Sequence, residues 1–319
     1  AVFTLSFAPD GSSIASGSMD GSVRVASLDI DEAEPALRQP DTFTHAAFDG
    51  DASRAVTASA EGHAQVWDVA AEIPIGGPLQ HGSPCRVALT PDGSLAVTIS
   101  TKHGVKVWEA ESGRLLGIAD APEGVGQVGW PWFLADGRLV IRWGRPRRVE
   151  IWDVAGGPAR VASFRADSSA MSLAGSPDGS QAAVGEYANV ASVWDTVSSR
   201  LLARSFRHDR AVDAVAFSWD GSVLATGSRD QWVSLWNVAD GTRIGLGMHH
   251  AAGVGAVAFH PSGTMMATGT GDGVLRLWDV ASQRQIGEPR RHGSDWFHAD
   301  FAPRGARLAT HAAANGVRS

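Results

Sequence analysis

The chain has 319 residues, is 44% hydrophobic and 19% charged, and carries a formal net charge of −7. That acidity argues against a broad nucleic-acid footprint, because phosphate binding needs a dominant positive face. No run has the length and apolarity of a membrane span, no signal peptide opens the chain, and the single cysteine, Cys85, allows no internal disulfide. These features suggest a cytoplasmic protein. Only Lys102 and Lys106 among the 27 basic residues are lysines, which points to GC-rich, bacterial coding.

Turn signals recur along the chain at Gly11, Ala52, Gly93, Gly137, Gly179, Gly221, Gly263 and Gly305. They advance by 41, 41, 44, 42, 42, 42 and 42 residues. Fifteen residues after the second to the seventh of these stand Trp67, Trp108, Trp152, Trp194, Trp236 and Trp278, each closing an apolar run. A period of this length predicts four-stranded blades arranged radially, an all-β propeller.

Within one repeat, Ala211 to Phe217 reads as a short strand and Trp219-Asp220-Gly221 as a turn. Val223 to Ser228 is a second strand, Trp232 to Val238 a third, and Arg243 to Met248 a fourth. Short runs joined by Asp-Gly turns predict antiparallel hairpins. The expected single domain, 1–319, has blades at 1–42, 43–83, 84–124, 125–168, 169–210, 211–252 and 253–294. Residues 295–319 would supply a truncated eighth, so the chain reads as a piece of a longer array. Seven or eight blades could close the ring.

Val215-Ala-Phe-Ser-Trp-Asp-Gly221 through Ser234-Leu-Trp-Asn237, and Val257-Ala-Phe-His-Pro-Ser-Gly263 through Leu275-Arg-Leu-Trp-Asp279, resemble the consensus of the WD-repeat β-propeller family. The phrase Gln285-Ile-Gly-Glu-Pro-Arg-Arg-His292, echoed by Ile73-Pro-Ile-Gly-Gly-Pro-Leu-Gln-His81, is similar to repeat arrays of large bacterial signalling proteins. The resemblance implies a buried polar network in each blade. In the sixth repeat it would join His208, Thr226 or Ser228, Asp230 and Trp236. In the seventh it would join His250, Thr268 or Thr270, Asp272 and Trp278. Four polar groups in an apolar wedge must satisfy one another, so Asp272→Ala is expected to destabilise the fold. The fourth repeat has Arg142 and Pro146 at the network positions and the fifth has Val184 and Ala188, so packing alone is expected to hold those two.

No catalytic residues, cofactor or metal site is expected. The recurring His, hydroxyl and Asp set is explained by the blade network, and the histidines do not converge at zinc spacings. Gly269-Thr-Gly-Asp-Gly273 lacks the Lys-Ser/Thr of a phosphate loop. Cys85 beside Arg86 is read as a packing residue.

The partner-binding candidates are Arg142, Trp143, Arg145, Arg147 and Arg148 in one Arg-rich loop, with Tyr187, Arg229 and Trp232 on nearby loops. Arg forks and aromatic faces suit carboxylate or phosphate groups of a peptide. Trp132 is a further candidate, left exposed if Trp130 fills the slot held elsewhere by Phe7, Phe48, Phe217, Phe259 and Phe301. The expected function is a non-enzymatic interaction, scaffold or sensor module of a larger signalling protein. Its partner would be a protein or peptide, acidic or phosphorylated, or a neighbouring domain of the same chain. A small-ligand or enzymatic propeller using its central channel is the alternative; His298 and Asp300 are the only acid–histidine pair near an inner strand.

Overall fold

The computed structural model describes residues 43–291, except 50–52, 72, 130, 135, 145, 146 and 167. It also gives the strand backbones at 2–7, 13–18, 22–27, 36–38, 297–301 and 308–312. The described residues are all β, with no helix. They assemble into seven four-stranded antiparallel sheets and one hairpin, Phe297–Phe301 with Leu308–Ala312. Each sheet keeps its strands in sequence order, first to fourth.

The sixth sheet shows why the pattern works. Its strands are Val212–Phe217, Val223–Ser228, Trp232–Asn237 and Arg243–His249, close to the limits read from the sequence. Gly221 turns the first strand into the second with φ of 72°, a left-handed backbone that a side chain would strain. Asp220 completes the turn by accepting from the Ser218 hydroxyl at 2.6 Å and the Ser222 amide at 3.0 Å. Four of the six residues of the third strand, Val233 to Trp236, are buried. Such a strand is covered on both faces, so its apolar run is nearly continuous.

The chain divides into two compact units, Ala1–Phe133 with Gly137–Val161, and Leu134–Asp136 with Ala162–Ser319. In the first, Val56, Val66, Leu79, Val87 and Trp108 form one core between the second and third sheets. A second core joins Val97, Ile99 and Val107 to Leu139, Ile141, Trp143 and Trp152. In the second unit, Phe206, Val212, Val215, Phe217, Leu224 and Trp236 form one core. Val233, Leu235, Met248, Val254, Phe259, Met266 and Trp278 form the next. Trp108, Trp152, Trp236 and Trp278 therefore pack against the preceding sheet, where truncation to alanine costs about 3–5 kcal/mol.

The Ile-Gly phrase of the fourth strands has a mechanical role in the second unit. Gly245 takes φ of 67°, and the Gln283 amide clamps the kink, donating to Ile244 O at 2.7 Å and accepting from Gly247 N at 2.8 Å. Gln283 lies in the next repeat, so the clamp ties consecutive sheets. Gly76 and Gly287 bend their strands in the same way, with φ of 62° and 66°.

The fourth sheet departs from the others. Trp152 pairs with Leu139, two residues past its turn glycine, whereas Trp236 pairs with Leu224, three past Gly221. A one-residue slip moves every side chain of a strand to the opposite face. Ile141, not Arg142, consequently occupies the hydroxyl position, and Trp143 turns inward. The same sheet corrects the expectation for Trp130. Phe133 pairs with Leu139 as Phe217 pairs with Leu224, so Phe133 fills the recurring aromatic slot. Trp130 lies outside the described residues. Trp132 pairs with Val140 and is half-buried, not exposed as expected.

Candidate functional site

The polar network forms in the sixth sheet as read. Trp236 donates its indole N–H to Thr226 Oγ1 at 2.8 Å, and His208 Nε2 meets the same oxygen at 2.7 Å. His208 Nδ1 reaches Asp230 Oδ2 at 2.9 Å, which also accepts the Asp209 amide at 2.9 Å. Asp230 Oδ1 accepts the Trp232 amide at 3.0 Å. Burial alone would raise the Asp230 pKa, but these His208 and amide interactions outweigh it and hold the carboxyl below its usual range. Ser228 stands aside from the chain, donating to Arg210 O and accepting from the Asp230 amide.

The seventh sheet is different at its acid. Trp278 and His250 both bond Thr268 Oγ1 at 2.8 Å, but His250 Nδ1 turns to Met248 O at 3.1 Å. Asp272 is exposed and takes the Thr270 hydroxyl instead, at 2.6 Å. The buried Thr270 hydroxyl also lies 3.0 Å from Val274 O and keeps an acceptor without Asp272, so the destabilisation expected for Asp272→Ala is smaller than the sequence implies. The second and third sheets carry partial versions, Trp67 on Thr57 and Trp108 on Thr98 with His81.

The fourth and fifth sheets are not held by packing alone, contrary to expectation. In the fifth, the hydroxyl has crossed to the third strand. Trp194 donates to Ser192 Oγ at 3.0 Å, Ser192 donates to Glu186 Oε1 at 3.1 Å, and Glu186 Oε2 accepts the Ser168 amide at 2.9 Å. In the fourth, Trp143 donates to the fully buried Glu150 at 2.8 Å. Arg160 and Arg148 meet the other oxygen of that carboxylate at 3.0 and 3.5 Å. With Ile141 in the hydroxyl position, the Trp152 indole N–H has no partner among the described residues. Sequence reading missed Glu150 because it sought the acid in a loop; the signal was an acid two residues before the repeat tryptophan.

The surface candidates divide. Trp143 is fully buried and is no contact residue; the slipped register put it in the core. Arg142 is half-buried, and burial lowers its pKa. Arg148 is engaged with Glu150, Arg147 is exposed, and Arg145 lies outside the described residues. Tyr187 is 60% exposed and Trp232 37%. The Arg229 guanidinium lies 5.9 Å from the Tyr187 ring centroid and pairs with Asp213 at 2.7 Å. Trp232 meets the exposed His249 edge-on at 4.9 Å. Asp213 was missed; it sits where the first-to-second strand register shifts, a bulge that aims its carboxylate at Arg229.

The Cys85 thiol is buried and pushed up to about 12 by that burial; the opposing Arg86 charge is the weaker influence. Among the described residues no group of three His, Cys, Asp or Glu side chains could hold a metal ion. The side chains of His298 and Asp300 lie outside the described residues.

The family model for the WD domain, G-beta repeat, matches residues 1–26, 200–237 and 243–279. No curated protein matches the chain. The crystal structure of the computationally designed Ika8 protein is similar over 97% of this chain and 95% of that one, with a TM-score of 0.77. At 21% identity that likeness bears on the fold alone. Indole-to-hydroxyl chains, four-stranded sheets in sequence order and the matched segments agree: residues 1–26, 200–237 and 243–279 match as WD repeats, and the chain is similar to WD-repeat β-propellers.

Proposed function

We propose that the chain is a non-enzymatic interaction module, a scaffold or sensor that presents loops to a protein or peptide or to a neighbouring domain. On this reading residues 1–319 form one propeller of seven complete blades and a truncated eighth, within a larger cytoplasmic signalling protein of bacterial type. WD40 domains generally bind proteins or peptides.

The observation that carries the reading is the surface of Tyr187, Arg229 and Trp232. The exposed Tyr187 ring stands beside a guanidinium that is held in place by a largely buried carboxylate, and the exposed Trp232 follows Arg229 by three residues in the same turn region. Aromatic and Arg side chains that are already ordered lose little freedom on contact, which makes them strong anchors. The recurring His, hydroxyl and acid sets are engaged in hydrogen bonds to the repeat indoles, which accounts for them without catalysis.

The test is panning of a displayed random-peptide library against the immobilised protein, beside a Tyr187→Ala, Trp232→Ala double variant. Peptides enriched on the parent and lost on a variant of unchanged circular dichroism support the surface. Identical clones from both proteins, or none from either, would remove it.

A further inference from the structure

The fourth sheet carries a charge cluster that the blade network does not explain. Glu150 is fully buried, and one of its oxygens is taken by the equally buried Trp143 indole. Its second oxygen meets Nη1 of both Arg148 and Arg160. The two guanidinium side chains keep 37% and 48% of their surface exposed while their common anchor has none. One carboxylate against two guanidiniums leaves net positive charge at the surface. Each fork is tethered through a single nitrogen, so the remaining N–H donors of both stay available to an outside acceptor.

We infer that Arg148 and Arg160 form an anion site for a phosphate monoester on a protein or peptide, pre-ordered by the buried Glu150. A carboxylate presents two acceptor oxygens, which one guanidinium fork can satisfy. Two forks side by side have more donors than that and suit a group with three terminal oxygens and close to two negative charges. Tethering also removes part of the side-chain ordering cost that a free pair of arginines would incur on binding. A long polyanion such as nucleic acid fits less well, because the chain as a whole carries −7. This site is independent of the Tyr187, Arg229 and Trp232 surface, since it uses other residues and another ligand.

The experiment is calorimetric titration at low salt with three probes: inorganic phosphate, a phosphoserine peptide and the same peptide unphosphorylated. Saturable binding of the phosphopeptide above the other two is expected. Arg160→Gln and Arg148→Gln should each weaken it about tenfold. Arg160→Lys, which keeps the charge but not the fork, should fall between parent and Gln variant. Arg165→Gln removes a charge from the exposed end of the same strand and should leave binding nearly unchanged. Equal weakening by Arg165→Gln would mean general charge attraction and overturn the site. So would equal affinity for the two peptides, or no saturable binding by a parent protein with a normal melting curve. Binding of inorganic phosphate as tight as the phosphopeptide would assign the site to free phosphate and overturn the peptide assignment. Retention of displayed peptides by the other surface is a separate readout, so failure of either reading leaves the other standing.

Discussion

Replacing Asp230 by alanine should expose how much one buried acid contributes to a blade. In the folded protein the His208 side chain is 2% exposed and Asp230 10%. The carboxylate serves three donors: His208 Nδ1, the Asp209 amide and the Trp232 amide. The two amides belong to exposed residues, so water can replace their partner at little cost. The imidazole N–H cannot turn to solvent, because Nε2 is fixed on Thr226, which also holds the Trp236 indole. A buried donor left without a partner costs about 1–3 kcal/mol, and loss of a bond to a charged acceptor adds to this, so about 2–4 kcal/mol is expected. Asp272→Ala is the internal control: its carboxylate is exposed and takes only Thr270, so under about 1 kcal/mol is expected. Urea unfolding followed by tryptophan fluorescence measures both. An Asp272→Ala loss equal to or larger than that of Asp230→Ala would refute the reasoning, because the two acids occupy the same sequence position and differ only in burial and partners.

Two further outcomes follow from buried titratable groups. Burial, aided by Arg86, Lys106 and Arg276 respectively, lowers His45 to about 3 and His81 and His250 to about 4, against an ordinary 6.5. As pH falls below 6.5 the unfolded chain takes up protons first, so stability is whole above that value and is lost progressively towards pH 4. The loss should reach about 1.4 kcal/mol per pH unit for each histidine. Melting temperature should therefore fall from pH 7.5 to 5, and less steeply in His81→Gln or His250→Gln; equal slopes in both variants would contradict this. Cys85, held near 12 by burial, should resist a thiol reagent in the native protein and react on unfolding, whereas rapid native labelling would show that the thiol is accessible.

Local chemistry made the fold legible. A turn glycine fixes where a strand reverses, and short β-prone runs between such turns fix where the strands lie, so a repeat near 42 residues determines four strands without tertiary information. The sixth-repeat network was readable for the same reason, since His208, Thr226, Asp230 and Trp236 sit at fixed offsets from one turn. Where the turn-to-strand distance changed, reading by offset failed. In the fourth sheet the repeat tryptophan pairs one residue closer to the turn glycine, which turned Trp143 from an expected surface anchor into a core residue and left Arg142 half-buried.

Polar partnership was the part that only tertiary structure decided. Asp230 and Asp272 occupy equivalent positions, yet the first holds a buried histidine and the second faces water. In the fifth sheet a hydroxyl moved across the strand pair to Ser192, with Glu186 as its acceptor. In the fourth, Glu150 gathered an indole and two guanidiniums from three places along the chain. Sequence spacing determines which face a side chain takes and how often it recurs. Which donor reaches which acceptor depends on shifts of a few ångströms between packed strands, and those follow from the whole arrangement of the sheet.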